Sequence, residues 1–313
     1  MKRILITEAE DFSPEAARVL AEAGDVELAD LDRGGLEARI GEAQVLWVRL
    51  RHFLDAALLE RAPKLEMIAT PTTGLTHIDV EAAERRGIRV VSLRGETEFL
   101  NGVRATAEYA MALILALLRH LPEAAAHVQA GGWDRQLFRG TEIYNRTVGV
   151  VGYGRLGRIV ARYLQAFEAR VLATDPHVTF VEPGVELVPL EKLLAESDVV
   201  TLHVNLKKET RGFFGRREFE RMKPGSYFIN TARGELVDED ALVDGLRSGR
   251  LAGAAVDVVA HEHDPARRLA GTPNLLITPH IGGCTRESMQ KTEEFLAHKV
   301  ARELMVEHAC ARG

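Results

Sequence analysis

Short apolar runs rich in β-branched residues alternate with helix-patterned segments along almost the whole chain. This alternation is typical of α/β proteins built around parallel sheets. In the first half of the sequence the predicted strands are residues 4–7, 26–29, 45–48, 65–69 and 89–92. In the second half they are residues 148–151, 170–174, 186–188, 199–204, 227–231, 253–259 and 275–278.

Helix-patterned segments separate these strands, among them residues 14–23, 55–61 and 80–86. A longer segment, residues 105–119, is hydrophobic almost all round, which predicts a buried helix that joins the two sets of strands. Such a helix could also take part in a subunit interface. The last helical segment, residues 287–307, is expected to return and pack on the N-terminal part of the chain.

A glycine-rich turn follows the strand at 148–151 and opens an amphipathic helix. Gly152 permits a tight turn, Gly154 lets the backbone approach a pyrophosphate, and Gly157 allows close packing of helix on strand. The start of the helix then presents free N–H groups to the phosphates. A second strand ends at Asp175, 18 residues after Gly157, where a carboxylate can accept hydrogen bonds from an adenosine ribose. This unit predicts a dinucleotide site.

Asp175 also favours NAD over NADP, because a carboxylate at this position repels a 2′-phosphate. The residues that follow it, Pro-His-Val-Thr-Phe, include no arginine that could bind such a phosphate. The predicted cofactor is therefore NAD.

The glycine turn begins near residue 150, so a complete α/β unit precedes it. We therefore expect an α/β protein with two doubly wound parallel-sheet domains, a Rossmann NAD-binding domain inserted into a flavodoxin-like substrate domain. The NAD-binding domain is predicted at residues 101–283, and the substrate domain at residues 1–100 with 284–313. Ligand is expected at the carboxyl ends of the strands, in the cleft between the two predicted domains.

Composition narrows the classes of protein. The chain has 313 residues, a net charge of −6 and 46% hydrophobic residues, which predicts a soluble protein that binds neither nucleic acid nor a membrane. Acidic residues follow the basic start within the first ten residues, which does not fit a secretory signal peptide. Cys284 and Cys310 have no metal or redox spacing, so no metal site is predicted and a reducing, cytoplasmic location is expected.

Three neighbouring strands in the second half end in residues that could carry chemistry. Arg233 follows the strand at 227–231, Glu262 follows 253–259, and His280 follows 275–278 between a proline and two glycines. Each of them taken alone could be an ordinary surface or loop residue. Their shared position, at the edge where the glycine turn lies, points to a common site.

Hydride transfer between a nicotinamide and a carbinol carbon requires a proton to leave or join the oxygen. A histidine, with an ordinary pKa of about 6.5, suits that exchange. A glutamate on its other ring nitrogen would fix the tautomer and stabilise the imidazolium. An arginine offers a permanent charge and a fork that matches a carboxylate. The set suits the interconversion of a 2-hydroxy acid and a 2-oxo acid.

The sequence resembles the D-isomer-specific 2-hydroxyacid dehydrogenases, in particular the branch that includes D-3-phosphoglycerate dehydrogenase. The supporting segments span nearly the whole chain and are TPTTGLTHID (70–79), RATAEYAMALILAL (104–117), VGVVGYGRLG (148–157), SDVVTLHVNL (197–206), KPGSYFINTARGELVDEDAL (223–242), GAAVDVVAHE (253–262) and TPHIGG (278–283). The resemblance implies Arg233 as the carboxylate-orienting arginine, Glu262 as its paired glutamate and His280 as the acid/base.

The resemblance implies further sites and a homodimer. The substrate carboxylate would be bound by backbone N–H groups at Thr73 and Gly74. Arg49 and Arg51, predicted to face the same way on the strand at 45–49 and its exit, could hold the far end of the substrate or could be solvated surface arginines. Besides the three glycines of the turn, the implied cofactor contacts are Thr106, Arg155, Leu156, Asp175, His203, Thr231, Asp257 and Gly283.

The chain departs from the family pattern at His263, where proline is usual, at Val259, where phenylalanine is common, and at Asn205, where proline is common. The first two could reshape the loop that carries Glu262. Because the sequence ends at Gly313, we expect no appended regulatory domain and no feedback control by serine through one. Two alternatives stay open: a non-catalytic NAD-sensing protein similar to corepressors, and a related dehydrogenase of a non-carboxylate anion such as phosphite, or of formate.

Overall fold

The structure, a computed structural model, describes residues 1–260, 262, 269 and 271–310, the last four by their backbone alone. The chain divides into two compact units. Unit 1 consists of Met1–Val103 and Thr285–Gly313, and unit 2 of Arg104–Cys284, so that unit 2 is inserted in the sequence of unit 1. Both units are α/β, and the predicted fold class is confirmed.

Unit 1 is built on a five-stranded parallel sheet with the order β2-β1-β3-β4-β5, which is the flavodoxin-like order. Its strands are β1 (Lys2–Ile6), β2 (Gly24–Leu28), β3 (Val45–Trp47), β4 (Met67–Thr70) and β5 (Arg89–Ser92). Its helices are α1 (Pro14–Ala23), α2 (Arg33–Arg39), α3 (Ala56–Glu60), α4 (Val80–Arg85), α5 (Thr97–Leu100) and α12 (Arg286–Cys310).

Helices cover both faces of this sheet, as the near-continuous apolar strands require. On one face α1 and α12 pack together, and Leu20, Leu296 and Leu304 share a buried cluster with Ile4 and Trp47. The prediction that the last helix packs on the N-terminal part of the chain is confirmed. On the other face Leu36, Leu58 and their neighbours form a second cluster.

Unit 2 is built on a seven-stranded parallel sheet with the order β12-β11-β10-β9-β6-β7-β8. Its strands are β6 (Thr147–Val151), β7 (Arg170–Thr174), β8 (Val185–Leu187), β9 (Val199–Leu202), β10 (Ser226–Asn230), β11 (Leu251–Val256) and β12 (Leu275–Ile277). Its helices are α6 (Ala105–Leu118), α7 (Leu121–Gln129), α8 (Arg155–Ala166), α9 (Leu190–Glu196), α10 (Arg216–Arg221) and α11 (Glu239–Arg247).

The strand order of unit 2 reverses between β6 and β9, the two strands at the middle of the sheet. In a doubly wound sheet this switch point opens a crevice at the carboxyl ends of the strands, where dinucleotides bind. Helix α6 is buried along most of its length and packs against α8, β10 and β11, which confirms the prediction of a buried helix.

Every strand predicted from the sequence is present, with boundaries shifted by up to three residues. One shift matters for function, because β3 ends at Trp47 rather than at Arg49. Arg49 and Arg51 therefore lie in the loop after the strand, and the strand alternation used to predict a common direction for them does not apply.

Among the described residues, no single helix is long and apolar enough to cross a membrane. One pair, Thr97–Leu118 and Leu121–Gln129, bent by 63° at the break, passes that test by length and composition together.

Candidate active site

The glycine turn after β6 is shaped by close backbone contacts at two of its three glycines. A Cβ on Gly152, which has φ +92°, would lie 2.6 Å from the carbonyl oxygen of His203. A Cβ on Gly157 would lie 2.1 Å from the carbonyl oxygen of Gly152. A Cβ on Gly154 would meet nothing within 4 Å. Gly152 and Gly157 are thus required by the fold, whereas Gly154 keeps open the space into which it faces.

Helix α8 begins directly behind this open space. Its N-cap is Gly154, which has no side chain that could accept a hydrogen bond from the first turn. Burial lowers the pKa of the Arg155 guanidinium, and the nearby charge of Arg104 lowers it further. An arginine nevertheless stays protonated. Open space and two cations at a helix N-terminus fit a pyrophosphate.

Asp175 lies at the end of β7, next to the glycine turn. Its Oδ2 accepts the backbone N–H of Tyr153 at 2.9 Å, and its Oδ1 accepts the N–H of His177 at 2.9 Å. These bonds hold the carboxylate in place while each oxygen retains a further lone pair. The arrangement fits a pair of ribose hydroxyl groups.

Two more predicted cofactor residues lie at neighbouring strand ends. The hydroxyl of Thr231, after β10, is buried and has no hydrogen-bond partner among the described residues. His203, after β9, is 3.0 Å from the hydroxyl of Thr201 through Nε2, and burial lowers its pKa from 6.5 to about 4. His203 is therefore a neutral side chain at physiological pH. The orphaned hydroxyl of Thr231 fits a polar ligand at this edge.

Arg233 is held by the residues that follow β10. The Asn230 side chain accepts the N–H of Ala232 at 3.0 Å and donates to the carbonyl of Arg233 at 2.9 Å. Gly234 must be a glycine, because a Cβ there would lie 1.9 Å from the Val259 carbonyl carbon. Burial lowers the pKa of the Arg233 guanidinium, and the charges of Glu262 and Glu235 oppose that shift. Arg233 is thus a fixed, partly desolvated cation near Glu262.

His280 follows β12 in a left-handed conformation, with φ 54°. A non-glycine residue in that region carries strain on the order of 1 kcal/mol, so its surroundings must impose it. Asp257, which is 2% exposed, does so. Its carboxylate accepts the Ile281 N–H at 2.9 Å, the Gly282 N–H at 2.7 Å and the Thr278 hydroxyl at 2.7 Å. The His280 N–H donates to the Asp257 carbonyl at 2.8 Å.

The side chains of His280 and Glu262 meet in this arrangement. The Nδ1 atom of His280 is 2.8 Å from Oε1 and 3.0 Å from Oε2 of Glu262. The Glu239 carboxylate accepts the Ala260 N–H at 2.7 Å and so stabilises the backbone two residues before Glu262. His263, one of the three positions at which the chain departs from the family pattern, lies outside the described residues. With Nδ1 engaged by a carboxylate, Nε2 of His280 is the nitrogen that can exchange a proton with a substrate.

The turn after His280 also lies against helix α6. A Cβ on Gly282 would lie 3.4 Å from Tyr109 and 3.6 Å from Thr106, and one on Gly283 would lie 4.0 Å from the Thr106 hydroxyl. Thr106, Gly283, Asp257 and His280 are therefore brought together. Leu156, on the first turn of α8, packs partly buried against the unit 2 core.

In unit 1 the two predicted substrate arginines differ sharply. The Nε of Arg49 is 2.7 Å from Oε1 of Glu293, which is 1% exposed, and its guanidinium lies over the ring of Phe12. The Arg51 side chain is 43% exposed, and its Nη1 lies 3.5 Å from Oδ1 of Asp30. Arg49 is thus committed to a buried ion pair, whereas Arg51 is accessible.

Thr73 and Gly74, the predicted carboxylate-binding residues, lie in the loop after β4. Thr73 is exposed, and the Thr72 hydroxyl donates to the Gly74 carbonyl at 2.7 Å. The hydroxyl of Thr72 is also 3.1 Å from that of Thr70. These bonds order the loop, and the role of its N–H groups stays a prediction.

Sequence reasoning missed the supporting residues Asn230 and Glu239 and the cluster of Tyr153, Arg158 and Glu182. Asn230 could have been found, because an asparagine two residues before a turn N–H commonly bonds to it. The others pair residues far apart in sequence, and no local pattern marks them. No group of three or more His, Cys, Asp or Glu side chains among the described residues is arranged to hold a metal ion.

Residues 111–282 match the NAD binding domain of the D-isomer specific 2-hydroxyacid dehydrogenases. Over 309 residues the chain is 33% identical to the hydroxypyruvate reductase of Thermotoga maritima, covering 97% of this chain and 99% of that protein. The chain belongs to the D-isomer specific 2-hydroxyacid dehydrogenase family.

Two other similar proteins are informative. The D-3-phosphoglycerate dehydrogenase of Mycobacterium tuberculosis is 37% identical over 296 residues, 93% of this chain but 55% of that protein, so the chain spans about half the length of such relatives. The solved structure of an NAD-dependent formate dehydrogenase from Staphylococcus aureus in complex with NAD is 27% identical, with a TM-score of 0.84 and 96% and 95% of the two chains covered. The seven-stranded unit 2 contains the matched residues and therefore corresponds to the NAD binding domain of the family.

Proposed function

We propose that this chain is an NAD-dependent dehydrogenase that transfers a hydride between the nicotinamide and C2 of a D-2-hydroxy acid or its 2-oxo acid. The observation that carries the proposal is the His280–Glu262 contact of 2.8 Å at a strand end of the NAD-binding sheet, with the Arg233 cation close to Glu262. A nucleotide-binding protein without chemistry has no need of an oriented acid/base histidine beside a fixed arginine.

The three side chains divide the work. Glu262 holds His280 in the tautomer that leaves Nε2 to accept the hydroxyl proton during oxidation and to return it during reduction. Its negative charge stabilises the imidazolium formed in between. Arg233 binds the substrate carboxylate and polarises the 2-oxo group, since its desolvated charge interacts more strongly than a solvated one. Bound NAD supplies the nicotinamide that accepts or donates the hydride.

The NAD-binding residues of the family have suitable counterparts here. Gly154 and the N-terminus of α8 would face the pyrophosphate, and Asp175 would accept hydrogen bonds from the adenosine ribose. We assign the unpartnered hydroxyl of Thr231 to the same cofactor. In unit 1 we propose Thr73 and Gly74 for the substrate carboxylate and Arg51, rather than the ion-paired Arg49, for a distal anionic group.

The test is a panel of 2-oxo acids reduced with NADH. The panel contains glyoxylate, pyruvate, hydroxypyruvate, 3-phosphohydroxypyruvate and 2-oxoglutarate, and NADH absorbance reports turnover. Hydroxypyruvate and its 3-phosphate form the decisive comparison, because they differ only in the distal anion that Arg51 would bind. We expect turnover of at least one acid.

NADH binding is measured in parallel by calorimetry. Tight binding without turnover of any acid would contradict the dehydrogenase proposal in favour of an NAD-sensing protein, and phosphite and formate oxidation would then be assayed. Failure to bind NADH would contradict the cofactor assignment itself.

We also propose that the enzyme is a cytoplasmic homodimer. Helix α7 has no buried side chain, although a helix of nine residues is not stable alone in water. The segment from α7 to β6 exposes large apolar side chains, with Trp133 89% and Leu137 64% exposed, together with Leu121 and Tyr144. Such a patch is typical of a surface covered by a protein partner, and we assign it to a second copy of this chain.

A further inference from the structure

An ion pair and an aromatic ring form a cluster behind the glycine turn. The Tyr153 hydroxyl donates to Oε2 of Glu182 at 2.5 Å, and Nη1 of Arg158 donates to Oε1 of the same carboxylate at 2.9 Å. The Arg158 guanidinium lies 4.7 Å from the centre of the Tyr153 ring. Both carboxylate oxygens of Glu182 and one face of the guanidinium are therefore occupied.

At neutral pH Glu182 of this cluster is ionised and the Tyr153 hydroxyl is protonated. Burial opposes ionisation of Glu182, but the hydrogen bonds from Tyr153 and Arg158 outweigh it and lower the pKa of the carboxyl. Burial, reinforced by Glu182, raises the pKa of Tyr153 to about 12. Glu182 is therefore an anion with two donors, and Arg158 is a cation neutralised by it.

The cluster adjoins the predicted ribose site. Tyr153 contributes its backbone N–H to Asp175 and its side chain to Glu182. Glu182 lies seven residues after Asp175 in the same connection between β7 and β8. Val178 and Val181 of that connection pack against the core cluster that contains Tyr153. Asp175 and Arg158 are thus linked through a single residue.

An arginine in this position is the group that a 2′-phosphate would require. NADP differs from NAD by that phosphate, and arginine is its usual ligand. The sequence after Asp175 contains no arginine before Glu182. Arg158, one turn into α8, is the cation that the tertiary structure brings to this place.

We propose that Glu182 withholds Arg158 from the adenosine ribose and so acts, with Asp175, as a second determinant of the preference for NAD over NADP. The inference rests on the proposed binding of NAD. Asp175 repels the 2′-phosphate directly, and Glu182 removes the cation that could offset that repulsion. Replacing Asp175 alone therefore leaves Arg158 paired and gives little NADP affinity.

The test compares four variants with the wild-type protein. The single variants are Asp175→Ser and Arg158→Ala. The double variant is Asp175→Ser/Glu182→Gln, and the triple variant adds Arg158→Ala to that double variant. Glutamine keeps an acceptor for the Tyr153 hydroxyl, so the loop retains its packing. In the control protein, Asp175→Ser is combined with Glu186→Gln instead of Glu182→Gln. Glu186→Gln disrupts the Arg170–Glu186 ion pair, 2.9 Å long, in the same unit. Calorimetry measures binding of NADH, NADPH, ADP and 2′,5′-ADP, and thermal melting verifies folding.

We expect the Asp175→Ser/Glu182→Gln protein to bind 2′,5′-ADP about tenfold tighter than Asp175→Ser alone, which corresponds to 1.4 kcal/mol. Adding Arg158→Ala should abolish that gain, and Glu186→Gln should not reproduce it. Equal affinities of the single and double variants would overturn the inference. It would also be overturned if Arg158→Ala alone weakened 2′,5′-ADP binding, since Arg158 would then already be available. If the wild-type protein did not bind NADH, the proposed function would be refuted instead.

Discussion

At the scale of single residues, the geometry of His280 is set by Asp257. Three hydrogen bonds to the Asp257 carboxylate and one to its carbonyl hold the turn that places His280 at φ 54°. The side chain then meets Glu262 through Nδ1. Asp257 was expected to contact the cofactor, and that role stays a prediction. Its role in holding the turn is visible in the structure.

Replacing His280 by alanine is expected to lower kcat by about 10²–10⁴-fold, because the reaction loses its general acid/base. NADH binding should be nearly unchanged, since the His280 side chain is not among the proposed cofactor contacts. The measurement is NADH turnover with the preferred 2-oxo acid, together with calorimetry. His298→Ala, which removes an exposed histidine on α12, is the control. Wild-type turnover by the His280 variant would refute its assigned role.

The sequence predicted the candidate catalytic residues but missed the residues that hold them in place. Arg233, Glu262 and His280 were found because each follows a strand whose neighbours could be inferred. Glu239 was missed, since it acts on the Ala260 N–H, 21 residues away, from another element. A side chain that stabilises a distant loop has no local signature.

At the scale of elements, the strand–turn–helix unit of β6 and α8 separates glycines needed for folding from a glycine that we propose for binding. Gly157 packs against the Gly152 carbonyl oxygen, with only 2.1 Å available to a Cβ. Gly154, with φ −78°, has an ordinary backbone conformation and open space in front of it. The two positions can therefore be distinguished by alanine substitution.

Gly154→Ala is expected to leave the melting temperature within a few degrees of wild type but to weaken NADH binding by at least about tenfold, because the methyl group occupies the space proposed for the pyrophosphate. Gly157→Ala is expected to lower the melting temperature markedly, because helix α8 must move away from the turn. Thermal melting and calorimetry on both variants provide the comparison. Tight NADH binding by Gly154→Ala would contradict the pyrophosphate assignment.

Element boundaries show where pattern reasoning is weakest. The run at 45–48 predicted β3, but the strand ends at Trp47, and the backbone N–H groups of Arg49 and Arg51 donate to the side-chain carboxylate of Glu8 instead of to a strand. Glu8 is buried and lies 41 residues before Arg49 in the sequence. The apolar pattern therefore located the strand but could not fix the residue at which it ends.

At the scale of the whole molecule, stability should depend on pH through His203. Its folded pKa of about 4 lies below the ordinary 6.5, so the unfolded chain binds more protons between these values. Stability is therefore complete above pH 6.5 and is lost as the pH falls towards 4. We expect a loss on the order of 2 kcal/mol between pH 7 and pH 5 from this group.

Urea unfolding of the wild type, His203→Gln and His298→Gln proteins near pH 7 and pH 5 checks this expectation. The His203 variant should lose less stability on acidification than the wild type, and the variant of the exposed His298 should behave like the wild type. An identical pH dependence for all three proteins would show that His203 does not control the transition.

The proposed dimer can be tested through the exposed apolar patch. Trp133→Ser combined with Leu137→Ser should shift the sedimentation coefficient from that of a dimer to that of a monomer, because the patch loses its two most exposed apolar side chains. Phe180→Ser is the control, since Phe180 is 71% exposed in unit 2 outside the patch. A wild-type protein that sediments as a monomer would disprove the dimer.

The sequence by itself determined the fold class, the strands, the glycine turn and the family, and it predicted the residues of the candidate site. It could do so because strand and helix periods, turn glycines and strand ends are local signals, and because parallel strands bring their carboxyl ends to one edge. Only the tertiary structure decided how those residues are used. It paired Arg49 with Glu293, placed His280 under the control of Asp257, and joined Arg158 to Glu182 beside Asp175. These outcomes depend on contacts between distant residues, whose geometry is set by packing and by the need to satisfy buried polar groups.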